Sequence, residues 1–266
     1  MERDDEVEST NILINEEDIL NKPIVYEVIR IINKKPLFLN EHLLRMKNSI
    51  KFFSKIEFNE ELCKERILKI IKDEKIINQN IRMETGNFIK GSFSYKIFKI
   101  ESNYPSNNEY SNGVNAITVH IERDNPEIKI RNDEYKNNIK KELDKNNAYE
   151  AILTDCDGKI LEGSRSNLFF VKDNKIITSK SGDVLEGITL SNVLKVINKE
   201  KIEMIRRDIY KDEIKSFDGA FLTGTSIDIL PIGKINDLKL KTATNPLVLN
   251  LINKFDIFKK KDMRRI

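Results

Sequence analysis

The sequence predicts an α+β protein in two parts. Strand-like apolar runs alternate with amphipathic helices in the first part, and short strands separated by turns dominate the middle of the chain. Between them lies Asn103-Tyr-Pro-Ser-Asn-Asn-Glu-Tyr-Ser-Asn-Gly113, a stretch dense in turn formers. At 266 residues, 39% of them hydrophobic and 33% charged, the chain has material for one large or two modest domains with substantial cores. The expected division is a small N-terminal α/β domain at residues 1–110 and a larger, β-rich C-terminal domain at residues 111–266.

Taken in order, Ile24 to Ile32 is strand-like, Asn33-Lys-Lys35 is a turn, and Leu37-Phe-Leu39 reads as the returning strand of a hairpin. A helix begins near Asn40 and carries Leu43, Leu44, Met46 and Ile50 toward a core. Cys63, Ile67, Ile70 and Ile71 recur at helical spacing, which makes Asn59 to Lys75 a second amphipathic helix. Strands are expected at Asn80 to Met83 and at Ser94 to Glu101. Beyond the turn-rich stretch, a strand through Ile121 precedes a helix bearing Tyr135, Ile139 and Leu143. Ala151 to Thr154 and Ile160-Leu161 form a hairpin with Gly158 in its turn. Leu168 to Val171 is the next strand, turning at Asp173-Asn174 into Ile176-Ile177. Thr189 opens a helix with Leu190, Val193, Leu194 and Ile197 on one face, and Ala220 to Thr223 is a strand.

Composition excludes several functions. The 46 basic and 43 acidic residues nearly cancel to a formal charge of +3, so no nucleic-acid partner follows from the charge balance. The basic run Lys259-Lys-Lys-Asp-Met-Arg-Arg265 is expected to be a frayed, solvated end. Met1 to Ser9 lacks a hydrophobic signal core and no apolar run approaches a membrane span, so the expectation is a cytoplasmic protein without a membrane partner. Cys63 and Cys156 have no metal-type spacing and are expected as reduced thiols. With His42 and His120 the only histidines, a zinc site and a Ser-His-Asp hydrolase are both poor fits, and no metal is expected.

The chemistry is sought instead in Glu162-Gly-Ser-Arg-Ser-Asn-Leu-Phe-Phe170. A carboxylate at such a strand-to-loop junction is held inside a protein only where something cationic meets it. Spacing alone favours Glu162 as a solvated acid of the hairpin. Two further segments have the shape of an anion cradle. Gly187, Ile188 and Thr189 offer unpaired amides at the positive end of the following helix. Gly224-Thr225-Ser226, after a strand, offers hydroxyls and amides. Each alone is also an ordinary cap or turn; beside an arginine, together, they would hold a phosphate.

The run Tyr149-Glu-Ala-Ile-Leu-Thr-Asp-Cys-Asp-Gly-Lys-Ile-Leu-Glu-Gly-Ser-Arg-Ser-Asn-Leu-Phe169 resembles the signature of the class IV (fold-type IV) pyridoxal-phosphate enzymes. These include branched-chain and D-amino acid aminotransferases and aminodeoxychorismate lyase. Tyr26-Glu-Val-Ile-Arg30, Glu41-His-Leu-Leu-Arg45-Met, Gly187-Ile-Thr189 and Phe221-Leu-Thr-Gly-Thr-Ser226 match its other motifs in order, so the resemblance spans residues 24 to 232. It implies a two-domain fold-type IV enzyme with a β-rich pseudo-barrel as its larger domain, and pyridoxal 5'-phosphate as cofactor. By resemblance Glu162 pairs with the pyridine nitrogen. Arg45 binds the phosphate with the amides of Gly187, Ile188 and Thr189 and with Thr225 and Ser226. The family's Schiff-base lysine lies upstream of the glutamate at a spacing that points to Lys129 in Pro126-Glu-Ile-Lys-Ile-Arg131. Lys136, Lys140 and Lys141 are rivals within the following helix.

Some positions depart from the family pattern. Glu186 and Leu190 replace the common Pro and Arg that flank Gly-Ile-Thr, without removing any amide. Glu134, with Tyr135 beside it, stands where branched-chain aminotransferases have a tyrosine that approaches the cofactor's phenolic oxygen. On Tyr95 to Ser102, Lys99, Ile100 and Glu101 stand where D-amino acid aminotransferases and the lyase show Arg-Gly, so no carboxylate anchor is assigned. Tyr26 and Lys99 are the candidate substrate-lining residues. The resemblance implies an aminotransferase of amino-acid metabolism that moves an amino group between an amino acid and a 2-oxo acid, as a homodimer. A lyase eliminating pyruvate from aminodeoxychorismate and a non-catalytic binder of the cofactor are the competing readings.

Overall fold

Two β-sheets organise the computed structural model, which describes residues 24–53, 57–89, 92–121 and 128–264. Met1 to Ser9, the Pro126-Glu127 pair and Arg265 lie outside the described residues. The smaller sheet is formed by β1 (Tyr26–Ile32), β2 (Lys35–Pro36), β3 (Gln79–Ile89) and β4 (Ser92–Ile100), in the antiparallel order β2-β1-β3-β4. Helices α1 (Leu39–Phe53) and α2 (Glu60–Asp73) cover one of its faces. The period-2 alternation of strands decides which residues meet them. Ile29, Ile31, Ile81 and Met83 pack on Leu43, Met46, Ile50, Cys63, Ile67 and Ile71. The intervening residues, Tyr26, Val28 and Arg30 opposite Glu84, Arg82 and Asn80, form the other face.

The expected returning strand at Leu37 to Leu39 is not formed. Phe38 takes a left-handed conformation (φ 54°), its amide donates to Asp262 Oδ2 at 2.9 Å, and Leu37 and Phe38 join the core beneath the C-terminal helices. Leu39 already belongs to α1. The turn-rich stretch also holds a short helix, α3 (Asn107–Asn112), started by a capping box between Ser106 and Glu109.

The larger sheet comprises β5 (Val114–His120), β6 (Glu150–Thr154), β7 (Ile160–Gly163), β8 (Asn167–Lys172), β9 (Lys175–Thr178), β10 (Met204–Arg206), β11 (Gly219–Gly224), β12 (Asp228–Ile235) and β13 (Leu238–Lys239). Its order is β10-β9-β8-β11-β12-β5-β6-β7, with β13 beside β12. The parallel step from β5 to β6 is bridged by α4 (Asp133–Asn146). The outermost strands approach each other, since Ile160 N donates to Ile209 O at 2.7 Å and Ser179 Oγ to Leu161 O at 2.7 Å, which curls the sheet into a half-barrel. Leu168, Phe170, Ala220 and Leu222 fill the inside of the curl. Phe169 and Phe221, paired in register and stacked at 4.9 Å, face α5 (Ile188–Lys199) and α6 (Pro246–Asp262).

The basic tail differs from its expectation, because α6 extends into it as far as Asp262. Lys259 is 9% exposed and bonds Asp228 Oδ2 at 2.7 Å, a carboxylate that Arg30 Nη1 also reaches at 2.8 Å. Burial of Phe255 and Leu251 on the same face carries the helix inward, and the paired carboxylate lets the lysine follow. Asp228→Asn keeps a residue that tolerates the left-handed backbone at this position (φ 51°) but removes the shared charge. Its expected cost is about 2–3 kcal/mol, measured as a lower urea midpoint at unchanged m value.

Candidate active site

Between the uncovered face of the small sheet and the mouth of the curled sheet, the structure gathers most of the residues singled out by the sequence. Glu162 lies within β7 and is 3% exposed, so it is not a solvated acid. Its Oε2 accepts from Asn167 Nδ2 at 3.0 Å and from the Leu185 amide at 3.1 Å. The following turn is tight for a stated reason. A Cβ on Gly163 would stand 2.1 Å from Ser166 Oγ, and both Ser164 and Ser166 donate to the fully buried Glu150 at 2.5 and 2.8 Å. That arrangement leaves Asn167 beneath Glu162.

Gly187 caps α5 without any side-chain acceptor, so the first-turn amides at Ile188 and Thr189 face outward as donors at the helix's positive end. The helix starts at Ile188, one residue before the expected Thr189. No other residue fits at Gly187, because a Cβ there would lie 2.3 Å from Asn167 Oδ1. Arg45 reaches this helix end from α1, donating from Nη1 to Glu186 O at 3.2 Å.

What holds Arg45 there was not singled out in the sequence. Glu27, 1% exposed on β1, accepts from Arg45 Nε and Nη2 at 2.6 Å each and lies 2.7 Å from His42 Nδ1. Spacing offered one signal: Glu27 is the only acid in the alternating run of β1, on the face that also carries Ile29 and Ile31. Burial acts to raise its carboxyl pKa, but the Arg45 charge and the bonds to His42 and Arg45 outweigh burial and lower it from 4.5 to about 2. A guanidinium has more N–H donors than these contacts use, so Arg45 keeps donors for an anion at the α5 terminus.

Lys129 is half-buried, and its carbonyl accepts from the Tyr26 amide at 3.2 Å while Val25 and Ile130 form an antiparallel bridge. Its Nζ stands 4.8 Å from the centre of the Tyr26 ring. Arg82, also missed by the sequence reading, stacks on the same ring at 4.2 Å and pairs with Glu84 at 2.9 Å. Lys136 approaches Tyr26 too, at 5.4 Å, but it is exposed, as are Lys140 and Lys141. Tyr135 donates to Ser164 O at 3.3 Å, which joins α4 to the turn after Glu162. Thr225 and Ser226 are half-buried in the turn after β11, and Ser226 Oγ accepts from Asn80 Nδ2 at 2.7 Å.

Lys99 does not belong to the site. The register of β4 against β3 sets it opposite Ile81, on the helix-covered side, where it pairs with Glu74 at 2.8 Å. A shift of one residue along a strand reverses the face, and Phe98, opposite Arg82, is the residue on the open side. Among the described residues no group of His, Cys, Asp and Glu is arranged to hold a metal ion, and no helix is long and apolar enough to cross a membrane.

A curled sheet joined to a small α/β layer, with a lysine, a buried carboxylate and a helix-capped cradle between them, defines a fold-type IV architecture. The family model for amino-transferase class IV matches residues 24–235, and the chain belongs to that family. It is 28% identical over 244 residues to a probable branched-chain-amino-acid aminotransferase of Thermotoga maritima, covering 88% of this chain and 85% of that one. It is likewise 28% identical over 251 residues to a D-alanine aminotransferase of Bacillus licheniformis, covering 85% and 84%. Among solved structures, a T.th. branched-chain amino acid aminotransferase with pyridoxamine 5'-phosphate superposes with a TM-score of 0.77 at 25% identity, covering 91% of this chain and 86% of that one.

A folded-state carboxyl pKa below the unfolded one gives stability that is fully present above the unfolded value and is lost as pH falls through the folded one. For Glu27 that window runs from 4.5 down to about 2. Glu27→Gln is therefore expected to lose about 3–5 kcal/mol at neutral pH, with the gap to wild type narrowing across that window. Urea titrations at successive pH values measure it, and a gap independent of pH would count against the assignment.

Proposed function

We propose that this chain is a pyridoxal-phosphate-dependent aminotransferase that moves an amino group between an amino acid and a 2-oxo acid. The observation that carries the reading is the buried Glu162 carboxylate, held by Asn167 and the Leu185 amide next to a helix terminus that Arg45 also reaches. These residues fit a planar cationic ring joined to a phosphate. The carboxylate suits a protonated ring nitrogen, and the open amides of α5 with the spare donors of Arg45 suit a dianion.

When bound, pyridoxal phosphate supplies an aldehyde that condenses with amines and a protonated ring that draws electrons from Cα. Glu162 would keep the proton on the ring nitrogen, each unit of pKa difference so held amounting to about 1.4 kcal/mol. Lys129 is the amine that would hold the aldehyde carbon, and the same amine would take the proton from the substrate Cα as base and return it as acid. Arg45, Gly187, Ile188, Thr189, Thr225 and Ser226 would anchor the phosphate and so restrict how the ring is oriented. Tyr26 and Arg82 form a stacked wall beside the lysine.

The proposal includes a small domain at residues 1–110, a larger one at 111–266, and a homodimer in the cytoplasm, where Cys63 and Cys156, not joined in a disulfide, stay reduced. Sedimentation of the loaded protein tests the dimer.

Borohydride reduction of the loaded protein followed by peptide mapping is expected to place a pyridoxyl adduct on Lys129. An adduct on Lys136 instead would overturn the lysine assignment, and an absorbance spectrum unmoved by any amino acid would leave only a cofactor binder. Pyruvate release from aminodeoxychorismate without a 2-oxo acid acceptor would sink the aminotransferase reading in favour of the lyase. Glu162→Gln is expected to retain fold and cofactor while slowing Cα proton abstraction about a hundredfold or more, read by single-turnover absorbance.

A further inference from the structure

Asn80 is 2% exposed on the cleft face of β3, opposite Arg30 in register. Its side-chain amide is engaged at both ends: Tyr104 donates its hydroxyl to Oδ1 at 3.0 Å, and Nδ2 donates to Ser226 Oγ at 2.7 Å. The Asn80 amide N–H also donates to Ser102 Oγ at 2.8 Å, which fixes the main chain at this point. Tyr104 is itself held, because the Arg30 guanidinium lies 4.5 Å over its ring and Arg30 is tied to Asp228 at 2.8 Å.

The direction of this chain of bonds follows from donor strength. A carboxamide has one accepting and one donating end, and a phenol is a better donor and poorer acceptor than an aliphatic hydroxyl. Tyr104 therefore takes the oxygen end of Asn80 and leaves the N–H end for Ser226. Because Asn80 Nδ2 can only donate, Ser226 accepts there through one lone pair and has its own O–H left to give elsewhere. The turn after β11 presents that hydroxyl beside the proposed cofactor site.

Resting on the aminotransferase reading, we propose that Tyr104 and Asn80 are positioning residues that commit the Ser226 hydroxyl to donating to an oxyanion. The oxyanion is the phosphate of the cofactor or the carboxylate of the substrate, which share the same acceptor chemistry. Neither Tyr104 nor Asn80 touches that anion; both act through Ser226.

The test uses Asn80→Ala, Ser226→Ala, their combination, and Tyr104→Phe, which removes only the phenolic oxygen and spares the fold should Asn80→Ala disturb it. Dissociation constants are measured for pyridoxal phosphate, for pyridoxal, which lacks the phosphate, and for 4-methylvaleric acid on the loaded protein. Asn80→Ala and Ser226→Ala are each expected to weaken one anion about tenfold, with the combination no weaker than either alone. A loss for pyridoxal phosphate but not pyridoxal assigns the hydroxyl to the phosphate; a loss for 4-methylvaleric acid alone assigns it to the substrate carboxylate. Tyr104→Phe is expected to give a smaller loss for the same ligand. Unchanged constants, an equal loss for pyridoxal, or losses that multiply in the combination would overturn the relay. A wild-type protein that takes up neither pyridoxal phosphate nor pyridoxal removes the parent reading itself.

Discussion

Glu27 fixes where Arg45 can stand, and Arg45 fixes how the small sheet meets helix α5. A carboxylate on the helix-covered side of β1 sits among Ile29, Ile31 and Met46, and burial alone would force it to take up a proton. It stays ionised because Arg45 and His42 are both within bonding distance. The pair is best understood as a constraint on geometry. Removing either partner leaves an uncompensated buried charge, while the intact pair gains little over well-packed apolar residues. What the protein gains is a guanidinium held at both ends, by Glu27 and by the Glu186 carbonyl that directly precedes Gly187.

The same division of faces explains why the cleft is polar at little cost to the core. On β1 and β3 the residues that pack on α1 and α2 are one parity, and the residues that look toward the larger sheet are the other. Tyr26, Arg30, Asn80, Arg82 and Glu84 can therefore carry charge and hydrogen bonds while the opposite side keeps its apolar packing. Arg30 meets Asp228, and Asp228 also receives Lys259 from α6, so the C-terminal helix is tied to the cleft through one carboxylate.

Much of this was legible in the sequence where one local rule decided the outcome. The amphipathic periods of α1, α2, α4 and α5 and the hairpin at Ile152 to Gly163 follow from apolar spacing and turn residues. Elements decided by distant contacts were not legible. Phe38 leaves the expected strand because its amide is taken by Asp262 and its ring by the α6 core, and Lys259 leaves the surface because Asp228 awaits it. Glu27 and Arg82 were passed over because a charged residue in a strand usually marks the solvent side, and only the folded arrangement shows their partners. Lys99 failed through parity: the strand was recognised, but which of its faces is covered depends on register with β3.

The contacts also divide the site residues by what holds them. Arg45 is braced by Glu27 of β1, Lys129 by the Tyr26 amide of β1, and Ser226 by Asn80 of β3, so each depends on the small sheet. Glu162 shows bonds to Asn167 and Leu185, both on the side of the larger sheet, and its turn is clamped by Glu150 from β6. A shift of the small sheet would pull on Arg45, Lys129 and Ser226 through these bonds, whereas Glu162 and the α5 terminus would stay where the larger sheet puts them. The relative placement of the two sheets is thus what sets the Lys129 segment, tied to β1, against the β7 turn that carries Glu162. Polar contacts across the cleft, Arg30 to Asp228 and Asn80 to Ser226, help set that placement together with the Arg45–Glu186 bond, the packing of Leu37 and Phe38 under α5 and α6, and the bridge of Val25 to Ile130.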